Sequence, residues 1–141
     1  MENDQKANIV DEANYAKVLL DSVNDQIARL ERAGEELSST LAILRDDGIG
    51  VSKDVRVSIG SGIFVSAKGI EFDKVLFPLG SGVLKEEPRE KARQMIEDNL
   101  KDIQGSLNSL YVRKKDVETR YESLLTILQN SSGKSTGTVN A

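Results

Sequence analysis

The sequence predicts an α+β fold: two long helices that pair as an antiparallel coiled-coil hairpin, with two β-hairpins at the midpoint between them. Three observations carry this reading. Apolar residues recur at alternating steps of four and three through the first and last thirds of the chain. The stretch between them changes to a two-residue period. That stretch also holds the same Gly-x-Gly break twice, twenty residues apart.

The first helix is expected over about 8–47. Its apolar positions are Ile9, Ala13, Ala16, Leu20, Val23, Ile27, Leu30, Leu37, Leu41 and Leu44, with Gly34 filling the one gap. A sustained 3.5-residue repeat keeps an apolar seam facing one neighbour, which is the pattern of a left-handed coiled coil. Gly34 weakens the helix locally by about 1 kcal/mol relative to alanine. The repeat stops at Arg45-Asp46-Asp47-Gly48, where a glycine suits the left-handed residue after a helix end.

The middle segment, about 53–85, reads as two β-hairpins. Val55, Val57 and Ile59 alternate with Arg56 and Ser58, as a half-buried strand requires. Ile63–Ala67 and Lys74–Leu79 are rich in β-branched and aromatic residues. Ser58-Ile59-Gly60-Ser61-Gly62-Ile63 returns as Pro78-Leu79-Gly80-Ser81-Gly82-Val83. Each copy reads as strand, break, strand.

The second helix is expected over about 88–129, with Pro88 in its first turn, where a missing N–H costs nothing. Its seam is Ile96, Leu100, Ile103, Leu107, Leu110, Val117, Tyr121, Leu124 and Leu128, interrupted only by Lys114. Each helix is roughly 60 Å long at 1.5 Å per residue. Antiparallel pairing follows because a parallel pair would need the linker to travel their full length. Acid–base pairs four residues apart (Asp25–Arg29, Glu97–Lys101, Asp116–Arg120) are expected on solvated faces. The tail, 130–141, is small and polar and is expected to be disordered.

Composition narrows the function. Of 141 residues 30% are charged and 4% aromatic, which suits long exposed helices better than one packed core. A net charge of −4 gives no footing for nucleic acid. The absence of cysteine excludes disulfides and thiolate metal sites, and the absence of histidine removes the commonest general base. The N-terminus lacks the pattern of a signal peptide, and the apolar runs are too short to span a membrane, so a cytoplasmic location is expected.

No catalytic constellation emerges. The Gly-x-Gly breaks lead into strands, whereas a phosphate-binding glycine run opens a helix, so they read as hairpin bends or bulges. Asp46-Asp47 and Glu86-Glu87 read as helix-end charges, the latter at a helix N-terminus. No catalytic residue, metal site or cofactor is expected. What remains is surface. Val10, Val18 and Leu19 on the first helix, and Leu125 and Ile127 on the second, fall outside the seams near the free ends. Exposed apolar clusters mark interaction sites, although a wider seam would also account for them.

Helix, two β-hairpins with a repeated Gly-x-Gly, then helix, resembles the α class of prefoldin subunits of the archaeal type. The resemblance covers residues from about 8 to 129 and is most specific in Val57–Val65 and Lys74–Leu84. It implies an ATP-independent holdase. In that family a hetero-hexamer, usually two α-class and four β-class subunits, joins its hairpins into an oligomeric β-barrel. Coiled-coil tips grip unfolded polypeptides, which pass to a group II chaperonin. Carrying the tips onto this chain selects Ile9, Val10, Val18, Leu19, Leu124, Leu125, Ile127 and Leu128 for client binding. Val55, Val57, Ile59, Phe64, Val75, Phe77 and Leu79 are the candidates for subunit assembly, since short strands with open edges have reason to pair with other chains. The rival readings are a structural coiled-coil scaffold or tether without clients, and an enzyme using the glycine breaks as a ligand cradle.

Overall fold

In the computed structural model the backbone is described for residues 2–51 and 54–139, and side chains for 3–50 and 54–131. The expected hairpin start at 53 and the last two tail residues lie outside these. Helix α1 spans Glu2–Leu44, followed by a short 3-10 turn at Ile49–Val51. Strands β1 (Val55–Gly60) and β2 (Ile63–Ala67) form one antiparallel pair. Strands β3 (Lys74–Gly80) and β4 (Val83–Pro88) form a second, separate one, and helix α2 spans Arg89–Val139. The layout is α+β, two long helices with two small antiparallel strand pairs.

The chain divides into two compact units, 1–32 with 104–141, and 33–103. In the first unit, Ala13, Ala16 and Leu124 are buried together, with Ile9, Tyr121 and Leu128 packed against them. Val23, Ile27 and Leu107 are buried as well. Cross-helix bonds fix the antiparallel sense of this unit. Arg120 reaches Glu12 at 3.3 Å, and the Tyr111 hydroxyl donates to the Glu31 carboxylate. The alanines matter here because a small side chain at a seam lets two backbones approach closely. Lys114 sits half-buried at its seam position, with its Nζ 3.9 Å from Glu118 Oε1 one turn further along the helix.

In the second unit, Leu41, Leu44, Ala92 and Ile96 form the core, and Leu37, Phe72, Val75, Phe77 and Leu100 pack on it. The second hairpin is thus docked on its own helices through one face. The first hairpin contributes nothing to this cluster among the described residues.

Several boundaries differ from the sequence reading, each for a local reason. Pro88 ends β4, paired with Lys74, and does not open α2. Proline forces its predecessor toward extended backbone, so the strand continues through Glu86 and Glu87, which lie in β4 and not at a helix N-terminus. The outgoing strand is therefore six residues long. Gly48 is not in the left-handed region. The chain leaves α1 through an Asx turn, in which the Gly48 N–H donates to Asp46 Oδ1 at 2.9 Å. A Cβ at residue 48 would meet that same oxygen at 3.0 Å, which is the use of the glycine. The helical backbone of α2 continues past 129 to Val139, since extending a formed helix adds a bond for each residue ordered.

Of the acid–base pairs expected along single helices, Asp25–Arg29 forms. Glu97 instead takes Arg45 of α1 at 2.8 Å, and Arg120 takes Glu12. Across the pair, a long arginine finds a carboxylate on the opposite helix.

Candidate interaction surfaces

The two hairpin turns are built alike. Gly60, Ser61 and Gly62 have φ of 104°, 53° and 74°, and Gly80, Ser81 and Gly82 have 111°, 53° and 76°. Positive φ at both central residues is the type I′ arrangement, whose twist suits a two-residue hairpin. A register shift precedes each turn, between Ser58 and Gly60 and between Pro78 and Gly80. The repeated glycines are therefore turn and bulge positions joining strand to strand, as the sequence reading has them.

Register sorts the strand residues by face. Val57 lies opposite Val65 and Val55 opposite Ala67, giving one apolar face of the first hairpin. Phe64 pairs with Ser58 on the other face. Val55 is half-buried, whereas Val57, Ile59 and Phe64 are exposed, Ile59 by 62%. In the second hairpin Val75 and Phe77 are half-buried on the helical core. Leu76 and Leu84 project from the opposite face, and Leu79 lies exposed near the turn. Sequence reasoning missed Ile63, Val65, Leu76, Val83 and Leu84, all exposed. The period of two applied from Val57 through the turn would have found Val65. Leu76 and Leu84 needed the cross-strand register.

The junction of β4 and α2 holds the strongest electrostatic feature. The Glu87 side chain is only 7% exposed, with Oε1 3.1 Å from Lys85 Nζ and Oε2 3.3 Å from Lys91 Nζ. The bond to Lys85, aided by Lys91 and opposed by burial, holds its carboxyl below the ordinary range. Arg89 closes the same corner. Its N–H donates to the Asp73 carbonyl at 2.9 Å, its guanidinium meets Asp47 at 3.0 Å, and it lies 4.7 Å over the Phe72 ring. Every group here is answered by another from the same chain, so the corner is structural. Among the described residues no group of three or more His, Cys, Asp or Glu could hold a metal ion. No helix there is long and apolar enough to cross a membrane.

The residues expected at the helix ends all fall in the first unit. Leu124 is buried in the seam, and Ile9 and Leu128 are half-buried against it. Leu19 is half-buried, while Val10, Val18, Leu125 and Ile127 are exposed. Tyr15, which the seam reading passed over, is also exposed. Its position outside the heptad seam was visible in the sequence.

Comparison with known proteins agrees with this architecture. Residues 16–134 match the model of the family described as Prefoldin subunit. The chain is similar to the prefoldin subunit alpha of Picrophilus torridus, 42% identical over 99 residues, which are 70% of each chain. It is also similar to that of Thermoplasma acidophilum, 31% identical over 111 residues, 79% of this chain and 85% of the relative. The prefoldin subunit alpha of Methanobrevibacter smithii is 25% identical along 100% of this chain and 97% of its own. The fold resembles a chain in the cryo-EM structure of filamentous PFD from Methanocaldococcus jannaschii, with a TM-score of 0.66 and 24% identity over 81% of this chain and 95% of that one.

Proposed function

The chain belongs to the prefoldin family, a family of chaperone subunits and not of enzymes, and from that premise we propose that it is an ATP-independent holdase subunit that captures unfolded polypeptides at the free ends of its helices. In this reading α1 and α2 pair as a coiled coil, residues 1–141 act as one domain, and the hairpins join those of β-class subunits in a hetero-hexameric barrel. Captured chains pass to a group II chaperonin, and the setting is cytoplasmic.

The observation that carries the reading is apolar surface left over after the seam is complete. Val10, Val18, Leu125 and Ile127 stay exposed beside a core already filled by Ala13, Ala16 and Leu124. A holdase needs contacts of this kind, apolar and individually weak, because what it holds must also be released. The hairpins support the assembly half in the same way. A lone two-stranded hairpin is marginal in water, and the first one exposes Val57, Ile63 and Val65 on a single face.

The test is light scattering of a denatured protein diluted into buffer without ATP, in the presence of this chain assembled with a β-class partner. The comparison uses a variant carrying Val10→Ser, Val18→Ser, Leu125→Ser and Ile127→Ser, which leaves the seam untouched. Suppressed aggregation with the native complex, lost in the variant while assembly persists, is the expected result. If the native complex suppresses nothing, capture is wrong and a clientless scaffold becomes the better reading.

A further inference from the structure

Among the described residues Glu87 is the one charged side chain that is buried, and client capture makes no use of it. Its place follows from the alternation of β4. Lys85 lies opposite Phe77 and Glu87 opposite Val75, so both point to the face by which the second hairpin packs on the helical core. Pro88 then ends the strand, and α2 brings Lys91 back to the same carboxylate. Glu87 thus bridges two elements, with Oε1 3.1 Å from Lys85 Nζ of β4 and Oε2 3.3 Å from Lys91 Nζ of α2. Ala92, next to Lys91, is wholly buried in the core the hairpin covers. The other charges of the region are engaged elsewhere. On β3, Lys74 lies on the opposite face beside Glu86. From α1 and its turn, Arg45 takes Glu97 and Asp47 takes Arg89. On α2, Glu90 takes Arg93.

We propose that Glu87 is an acid-operated latch: ionised, it ties β4 to the first turns of α2 and holds the second hairpin on the helical core, and protonated, it lets the hairpin go. The inference goes beyond client capture and does not depend on it. Lysines keep their charge in acid, so protonation removes the one negative charge and leaves two positive ones facing a neutral carboxyl. Attraction across the junction of β4 and α2 becomes repulsion. An exposed pair such as Lys74–Glu86 only loses a weak attraction to water. Arg89 keeps its hold through the Asp73 carbonyl and the Phe72 ring, neither of which takes up a proton, so release starts in the strands and not in the helix. It uncovers Val75 and Phe77. The direction follows from the carboxyl ionising below the ordinary 4.5. The latch is complete above that value and opens as pH falls through the lower folded one.

The experiment is amide hydrogen exchange of the full chain across a pH series, read by mass spectrometry and corrected for the intrinsic pH dependence of exchange. Protection of β3 and β4 is expected to fall about tenfold as pH drops below the ordinary 4.5, the scale of a lost bond to a charged group. The helical amides of the first unit, which does not contain Glu87, should keep theirs. Glu87→Gln, which is neutral at every pH, should show the weakened strands already at neutral pH and no acid step. Lys85→Gln with Lys91→Gln should reverse the sign, because a buried carboxylate without partners is favoured when protonated. Acid should then raise protection of β3 and β4, even where these strands are open at neutral pH. Three results overturn the proposal. An unchanged acid step in Glu87→Gln moves it to another carboxylate, Glu97 against Arg45 being the first candidate. Simultaneous loss in the first unit shows general unfolding. An acid step of native sign without the two lysines shows that their repulsion does not open the hairpin.

Discussion

Gly34 shows how a single residue can be poor for its helix yet easily improved. It occupies a seam position, and a Cβ there would meet Ile103 Cγ2 at 3.6 Å, an ordinary packing distance. Gly34→Ala should therefore add about 1 kcal/mol of helix stability and raise the melting temperature by roughly 3 °C, read by thermal circular dichroism. Glu87 is the reverse case, a residue its surroundings hold tightly. Its carboxyl ionises below the ordinary 4.5 because Lys85 and Lys91 favour the charged form. A group whose folded-state value is lowered stabilises fully above its unfolded value, and that contribution disappears as pH falls through the folded one. The urea midpoint of the native chain should therefore drop on acidification below about 4.5, and part of that drop should vanish in Glu87→Gln. An equal drop in both proteins would assign the acid sensitivity elsewhere.

Among the elements, the two hairpins share turn geometry but differ in what supports them. Gly60 and Gly80 have φ above 100°, a region costly for any residue with a Cβ, and open space surrounds both. Gly60→Ala and Gly80→Ala should each cost more than about 1 kcal/mol through backbone strain alone. The loss at Gly60 should appear as faster amide exchange across β1 and β2. At Gly80 the packing of Val75 and Phe77 on the helices should confine the damage to the turn. The seam behaves differently, because its cost is cavity formation. Leu124→Ala should lose about 2–4 kcal/mol by denaturant titration, since Leu124 is buried against Ala13 and Ala16, side chains too small to fill the gap.

For the whole molecule, the decisive quantity is apolar surface that the chain does not cover itself. On the proposed reading, Ile63→Lys with Val65→Lys should leave the helical signal unchanged and prevent hetero-oligomer formation, measured by light scattering coupled to size-exclusion chromatography. An oligomer of native mass in that variant would move assembly away from this face. The helix-end surface should respond independently, because it lies in the other compact unit.

Periodicity made most of this legible without coordinates. Every seam position named from the steps of four and three is buried or half-buried, and strand β2 has the bounds the composition indicates. The reason is that a seam or a strand face is a local property, repeating along the chain whatever the partner. The family followed from the same pattern, through the duplicated Gly-x-Gly between two heptad stretches. Only the tertiary structure decided where local patterns meet. It placed Pro88 at the end of β4, turned Glu87 inward between two lysines, and sent Arg45 to Glu97 and Arg120 to Glu12 across the helices. It alone separated Val75 and Phe77, held by this chain's own core, from Leu76 and Leu84 on the open face. Strand residues of equal hydrophobicity become core or surface according to which face the helices cover, and that is set by contacts between residues far apart in sequence.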